Sequence, residues 1–220
     1  MRDDLTDALR RAGGAGGASE RAAARLAAEA ERRGLLDVAY ATVDSPLGPL
    51  YAAGTPRGLV MLAYGDVPLE ERLERLAREV SPRILEAPGR LDPVRRQLDE
   101  YFAGRRRAFE VPIDWSPLRG YTREVLRRTA EIPFGEASTY ADIALRAGSP
   151  RGWRAAGNAL GANPMPIVVP CHRVLASSGG IGGYTGGLDR KRFLLRLEGV
   201  EPDDARGEGG APRRAPRPGR

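Results

Sequence analysis

The 220-residue chain contains one cysteine, one histidine and one lysine. A lone cysteine, Cys171, excludes an intramolecular disulfide and fits a reducing compartment, or one where disulfides do not matter. The only histidine, His172, is the next residue, so a four-ligand zinc site would need carboxylates to complete it and no metal is expected. No apolar run approaches the ~18 residues of a membrane-spanning helix, so no membrane partner is expected. Met1-Arg2-Asp3-Asp4 leads into mixed charge and Gly/Ala, which does not fit a secretory signal. What remains is an ordinary globular composition, 41% apolar and 29% charged.

The net charge of +6 is uneven. Residues 37–116 carry 11 basic and 13 acidic side chains, whereas residues 117–200 carry 12 and 6. The field that would attract a polyanion therefore sits in the C-terminal half, although such a face also simply keeps a protein soluble. All but one of the 35 basic residues are arginine, which a GC-rich coding bias would also produce.

Four segments follow from composition and periodicity. Residues 1–36 form an extension, with a Gly13–Gly17 link and an Ala-rich helix from Ser19 to Arg33 stopped by Gly34. Residues 37–114 read as a small α/β unit. Strands at Asp37–Val43, Leu50–Ala53 and Leu59–Tyr64 form a meander. Helices at Pro68–Val80 and Asp92–Phe102 follow, the second with Val94, Leu98 and Phe102 on one face. Residues 115–200 are mostly helical. A helix over Thr122–Ile132 stops before Pro133, and Thr139 caps a helix running to Ala147. Ser149 and Pro150 then open a helix to Ala162. The Gly-containing corner between these last two suggests a helix-turn-helix, a weak signal alone. Seven of the 13 residues of Pro150–Ala162 are Gly or Ala. So slim a helix fits tight packing on a neighbour, or close approach to a DNA groove with Arg151 and Arg154 projecting. Residues 201–220, rich in Pro, Gly and Arg, read as a disordered tail.

The chemistry concentrates at Pro170-Cys171-His172-Arg173-Val174, after an apolar run, Met165–Val169, that reads as a strand. A lone cysteine is usually an inert core residue. Here it follows a proline at a change of chain direction, adjoins the only histidine and lies between arginine-bearing segments that favour thiolate. A free thiol is only a few per cent ionised at neutral pH and needs a base. His172 could serve through a turn or a bridging water, with Glu198 orienting the imidazole. The alternative for Glu198 is an ordinary solvated carboxylate. Six glycines in residues 177–187 lack the Gly-Lys-Ser/Thr of a P-loop and suit close backbone approach to a flat ligand.

Together these segments resemble the methylated-DNA–protein-cysteine methyltransferases, the 6-O-alkylguanine repair proteins. The resemblance runs from about Asp37 to Gly199. It rests on Pro170–Val174, on Arg154-Ala155-Ala156-Gly157 with Asn163-Pro164, and on Gly183-Tyr184-Thr185-Gly186-Gly187. Lys191 with Leu194-Leu195 and Glu198-Gly199, and Ile132–Glu136 before Tyr140, complete it. It implies a ribonuclease-H-like α/β domain followed by a helical domain with a helix-turn-helix, winged-helix-like, that binds the minor groove of duplex DNA. It implies a monomer, without cofactor, associated with DNA in a prokaryote-like cytoplasm.

The resemblance also assigns roles. Cys171 takes the alkyl group once and irreversibly, His172 and Glu198 handle its proton, and Tyr140 helps rotate the nucleotide and hydrogen-bonds the guanine. Arg154 replaces the flipped base, and Thr139 and Arg151 join Tyr140 in contacting DNA. Asn163 braces the turn around Cys171, Val174, Tyr184 and Thr185 line the guanine pocket, and Lys191 positions the C-terminal segment. Trp153, where the family usually has a small residue, departs from the pattern. A non-catalytic lesion sensor on the same helix-turn-helix is the second reading. A cysteine hydrolase is the third, disfavoured because its Cys and His are usually distant in sequence.

Overall fold

The computed structural model describes residue 25 and residues 27–201. The predicted Ser19 cap, the Gly13–Gly17 link and the 202–220 tail lie outside the described residues. Helix α1 (residues 27–32) ends as expected at Gly34, whose φ of 65° lets Leu35 N donate back to Ala30 O at 2.8 Å. It packs through Ala27 and Ala30 onto Leu36, Ala39 and Ala87.

The sheet that follows has the order β3-β2-β1-β4. Strands β1 (Val38–Val43), β2 (Leu50–Thr55) and β3 (Gly58–Tyr64) are the predicted antiparallel meander. The fourth strand, β4 (Ile84–Glu86), pairs parallel to β1 and is too short and too little patterned to be read from sequence. Alternation along the strands, broken once where the β2–β3 register shifts between Ala53 and Gly54 and leaves Val60 and Met61 on one side, builds two faces. Val38, Val60 and Met61 meet helix α2 (Leu69–Glu79) through Leu76. Val43, Leu50, Leu59 and Leu62 meet helix α3 (Pro88–Phe102) through Leu91, Val94 and Leu98. α3 starts one turn before the expected Asp92, with Pro88 in its first turn. Its buried face ends on Tyr101, fully enclosed, and not on the expected Phe102.

Helices α4 (Gly120–Ala130), α5 (Tyr140–Arg146), α6 (Trp153–Gly161) and α7 (Leu188–Leu197) make the second unit. A two-residue parallel pairing of β5 (Ser138–Thr139) with β6 (Val174–Leu175) joins its halves. Thr139 is the N-cap of α5, accepting from Asp142 N at 3.1 Å. Helix α6 corrects the expected Pro150 start. Gly152 N donates to Ser149 O at 2.8 Å, so Ser149-Pro150-Arg151-Gly152 is a turn and Arg151 sits before the helix.

One apolar cluster runs from the sheet through α3 into α4, α5, α6 and α7, so both units share a core. Their seam is closed at Tyr64, whose hydroxyl is 2.8 Å from that of Tyr184, and by the ion pair of Arg190 with Asp66. Gly186 fits between the two rings. A Cβ there would lie 2.4 Å from Tyr64 and 2.7 Å from Tyr184. Gly186→Ala is therefore expected to cost about 1–3 kcal/mol by overpacking, read as a lower urea midpoint than that of wild type.

Candidate active site

Cys171 does not follow a strand. Met165–Val169 is a buried turn, because Asn163 bonds the chain back on itself. Asn163 Oδ1 accepts from Met165 N at 3.0 Å and its Nδ2 donates to Val169 O at 2.8 Å. Val169 N then closes onto Met165 O and Cys171 N onto Val169 O, both at 2.8 Å. The apolar side chains are buried as a strand's would be, but without ladder partners. Within this loop Ile167 is held at φ 74°, a left-handed conformation that costs a β-branched residue about 1–3 kcal/mol. The loop delivers Cys171, His172 and Arg173 as one turn of 3-10 helix. Adjacent side chains therefore need not face opposite ways as they would on a strand.

The thiol is 8% exposed and accepts a 3.1 Å contact from Asn163 Nδ2. It lines a cleft of about 870 Å³ between β3 and residues 160–166, with Tyr184 and Thr185 also on the wall. Burial pushes the thiol pKa up, against the Asn163 hydrogen bond and the charge of Lys191. Lys191 is fully enclosed, and burial brings its pKa down to about 8. Its Nζ donates to Val174 O at 2.7 Å and Gly183 O at 3.1 Å, tying the β6 segment to the Gly-rich loop.

His172 is completely buried, and its Nε2 lies 2.9 Å from Glu198 Oε1. Glu198 is not a solvated carboxylate. It is the C-cap of α7, 4% exposed, and takes four hydrogen bonds. Besides His172, Tyr101 Oη donates to Oε1 at 2.6 Å, and Arg173 donates to Oε2 at 2.8 Å and Oε1 at 2.9 Å. Burial works against this charge, yet the bonds from His172 and Arg173 hold the Glu198 pKa at about 2. Burial likewise lowers the His172 pKa despite the carboxylate. The imidazole is therefore neutral, Nε2 carries the proton toward Glu198, and Nδ1 makes no hydrogen bond within the protein.

Tyr140 opens α5. Its hydroxyl donates to Gly183 O at 3.2 Å, and its ring lies 3.8 Å from a Cβ position at Gly157 on α6. Within the 177–187 loop it is Gly182 that permits a close approach to this ring, as Gly186 does to Tyr64 and Tyr184. A Cβ at Gly182 would be 3.1 Å from it. Burial and the nearby Cys171 raise the Tyr140 pKa, so its hydroxyl stays protonated. Thr185 Oγ1 donates to Gly161 O at 2.9 Å, joining the loop to the end of α6. Arg154 and Arg151 are exposed on the α6 side, and Thr139 is occupied as a cap.

The structure thus places Cys171, Asn163, Tyr184 and Thr185 on the cleft wall, buries His172, Glu198, Lys191 and Val174 away from it, and bonds Tyr140 to the Gly-rich loop at Gly183. Arg151, Arg154 and Thr139 lie on the adjoining helix-turn-helix. Sequence reasoning gave no role to Arg173, Tyr101 or Tyr64. Arg173 stood inside the quoted Pro170–Val174 motif, which was a usable signal. Tyr101 and Tyr64 come from the other unit and carried none.

A buried thiol beside a bonded His–Glu pair, under a basic helix-turn-helix, defines a two-unit protein with a cysteine nucleophile. Comparison with known proteins names its kind. Residues 38–115 match the ribonuclease-like domain of 6-O-methylguanine DNA methyltransferase, and residues 120–200 match its DNA-binding domain. The chain belongs to that family. It is 42% identical over 161 residues to the methylated-DNA–protein-cysteine methyltransferase of Mycobacterium tuberculosis, covering 72% of this chain and 91% of that one. The Methanosarcina barkeri protein of the same name is 36% identical, covering 72% and 96%. Among solved structures, the M. tuberculosis O6-methylguanine methyltransferase superposes with a TM-score of 0.62 at 38% identity, covering 79% and 96%. The same organism's protein in complex with DNA gives 0.62 at 39%, covering 73% and 92%.

Acid should unfold this site in two stages. An unfolded chain protonates its histidine below about 6.5 and its glutamate below about 4.5, while folded His172 and Glu198 resist. The unfolded state then binds more protons, so stability falls with pH, first below about 6.5 and again between about 4.5 and about 2. Urea titrations at a series of pH values should show both stages, and Glu198→Gln should make the lower one shallower without removing it, because Asp114 is also held at about 2.

Proposed function

We infer that this protein repairs DNA by moving a methyl or other alkyl group from 6-O-alkylguanine in duplex DNA onto Cys171, once per molecule. The observation that supports this most directly is the enclosed thiol held by Asn163 beside a neutral His172 with a free Nδ1. Raised by burial, Cys171 rests as a thiol and must be deprotonated to react. No direct Cys171–His172 hydrogen bond exists among the described residues, so a water carries the proton to Nδ1. Glu198 stabilises the imidazolium that results. The thiolate attacks the alkyl carbon in line, a C–S bond forms, and the C–O bond to guanine breaks. The electron pair leaves on the purine, which regains a proton, while Tyr140, a donor throughout, turns its hydroxyl toward the ring. Lys191 favours the thiolate by its charge and holds the pocket backbone at Val174 and Gly183. The thioether is not reversed by disulfide exchange, so no second turnover occurs.

The lesion reaches the cleft by base extrusion, which costs a few kcal/mol and less for a weakly paired damaged base. α6 lies in the minor groove, where its small residues permit close approach, and Arg154 fills the vacated stack. Arg151 and Thr139 contact the backbone nearby. The protein acts as a monomer, with no cofactor, in the cytoplasm. A reducing compartment keeps its thiol free. Among the described residues, no helix is long and apolar enough to cross a membrane.

Incubation with a duplex carrying 6-O-methylguanine should add one methyl to the peptide containing Cys171, restore guanine and stop at one event per protein. Cys171→Ser should lose transfer and keep duplex affinity. Intact lesion binding with no methyl gain by wild type would favour the lesion sensor. Arg154→Ala should slow repair of duplex more than reaction with free 6-O-benzylguanine; an equal loss on both would remove the finger role. Duplex affinity should fall steeply with salt, because phosphate contacts release counterions.

A further inference from the structure

Trp153 is the first residue of α6 and is 50% exposed. α6 is anchored by Ala156, Ala159 and Leu160, and Trp153 belongs to none of the three apolar clusters among the described residues. The other tryptophan, Trp115, does pack on the core. A single exposed apolar side chain is ordinary on a protein surface, so a role for this indole must come from its neighbours.

Its neighbours indicate one. The Arg154 guanidinium lies 4.6 Å from the indole centroid, a cation–π stack, and Arg154 forms no ion pair among the described residues. Arg151, also exposed, is two residues earlier. The rest of the solvent face of α6 is Ala155, Asn158, Gly161 and Ala162. The face is therefore slim along its length, with two flat side chains standing side by side at its N-terminal end. It belongs to the segment that matches a DNA-binding domain and carries the chain's excess positive charge.

We propose that Trp153 is a DNA-contacting residue that stacks on a nucleobase beside the position Arg154 enters. In the free protein the guanidinium rests on the indole. On the duplex, Arg154 leaves the indole for the gap in the stack, and the indole takes the exposed face of the flanking base in its place. Every base has a π face, so the contact is sequence-tolerant. It is uncharged, so unlike the phosphate contacts it releases no counterions. This rests on the reading that α6 is the helix laid against DNA.

The test uses the full chain with Trp115→Phe, which leaves Trp153 as the only indole. With Cys171→Ser added so that no alkyl transfer occurs, a labelled duplex carrying 6-O-methylguanine is titrated while protein emission and the anisotropy of the duplex are both recorded. Emission should be quenched in step with binding. Trp153→Ala should bind about fivefold to a hundredfold more weakly, the range of base–aromatic stacking. Its slope of log affinity against log salt should be unchanged, and Trp153→Phe should recover part of the loss. Binding with unaltered emission, or a Trp153→Ala variant that binds as tightly or more tightly, would overturn the proposal while leaving the DNA reading intact. A reduced salt slope in Trp153→Ala would reassign the effect to phosphate contacts. Absence of duplex binding by the wild type would overturn both.

Discussion

A carboxylate taken out of water must be bonded on nearly every side, and Glu198 is. Its four hydrogen bonds come from Tyr101 at the end of α3 and from His172 and Arg173 on the turn after the Asn163 loop. The residue itself ends α7. One anion thereby pins the N-terminal unit, the nucleophile turn and the last helix to a common point. Arg173 also donates to Ile132 O at 2.5 Å, which fixes the turn relative to the segment following α4. Deleting Arg173, the charged partner of Glu198, is costly, on the order of 3–5 kcal/mol, because the buried carboxylate is left without a counter-charge.

The same arrangement decides the chemistry. A carboxylate facing histidine alone would draw a proton onto the ring. Here burial lowers the His172 pKa, and the charge of Arg173, which also supplies two of the four bonds to Glu198, adds to the effect, so His172 stays neutral. The neutral ring thus adjoins, in sequence, a thiol whose pKa burial raises. The loop before this turn holds Ile167 in the left-handed conformation, and Asn163 bonds its backbone on either side, at Met165 and Val169. Asn163 therefore serves both the loop backbone and the sulfur.

Legibility from sequence followed the range of the interaction. Thr139 as a cap, Gly34 as a stop and the alternation of β1 to β3 depend on residues within a few positions, and each was read correctly. The start of α6 was misplaced because Ser149-Pro150 suits both a helix opening and a turn, and only the Gly152–Ser149 hydrogen bond separates them. Met165–Val169 looked like a strand because burial alone makes a short apolar run, whether or not a ladder exists. Tyr101 and Phe102 are neighbours in sequence, and the buried stripe Leu91, Val94, Leu98 continues three residues on to Tyr101 and not four on to Phe102, a choice that helical spacing leaves open.

By itself the sequence determined the local elements and the chemical inventory: one thiol, one imidazole beside it, a slim helix and a glycine-rich loop. These depend on backbone propensity and on residue types within a few positions. The tertiary structure decided which carboxylate is buried, which arginine neutralises it and which tyrosine crosses from the other unit to complete its bonds. It also set the protonation state of the histidine. Those outcomes depend on desolvation and on contacts between residues 25 to 97 positions apart, and no local pattern encodes them.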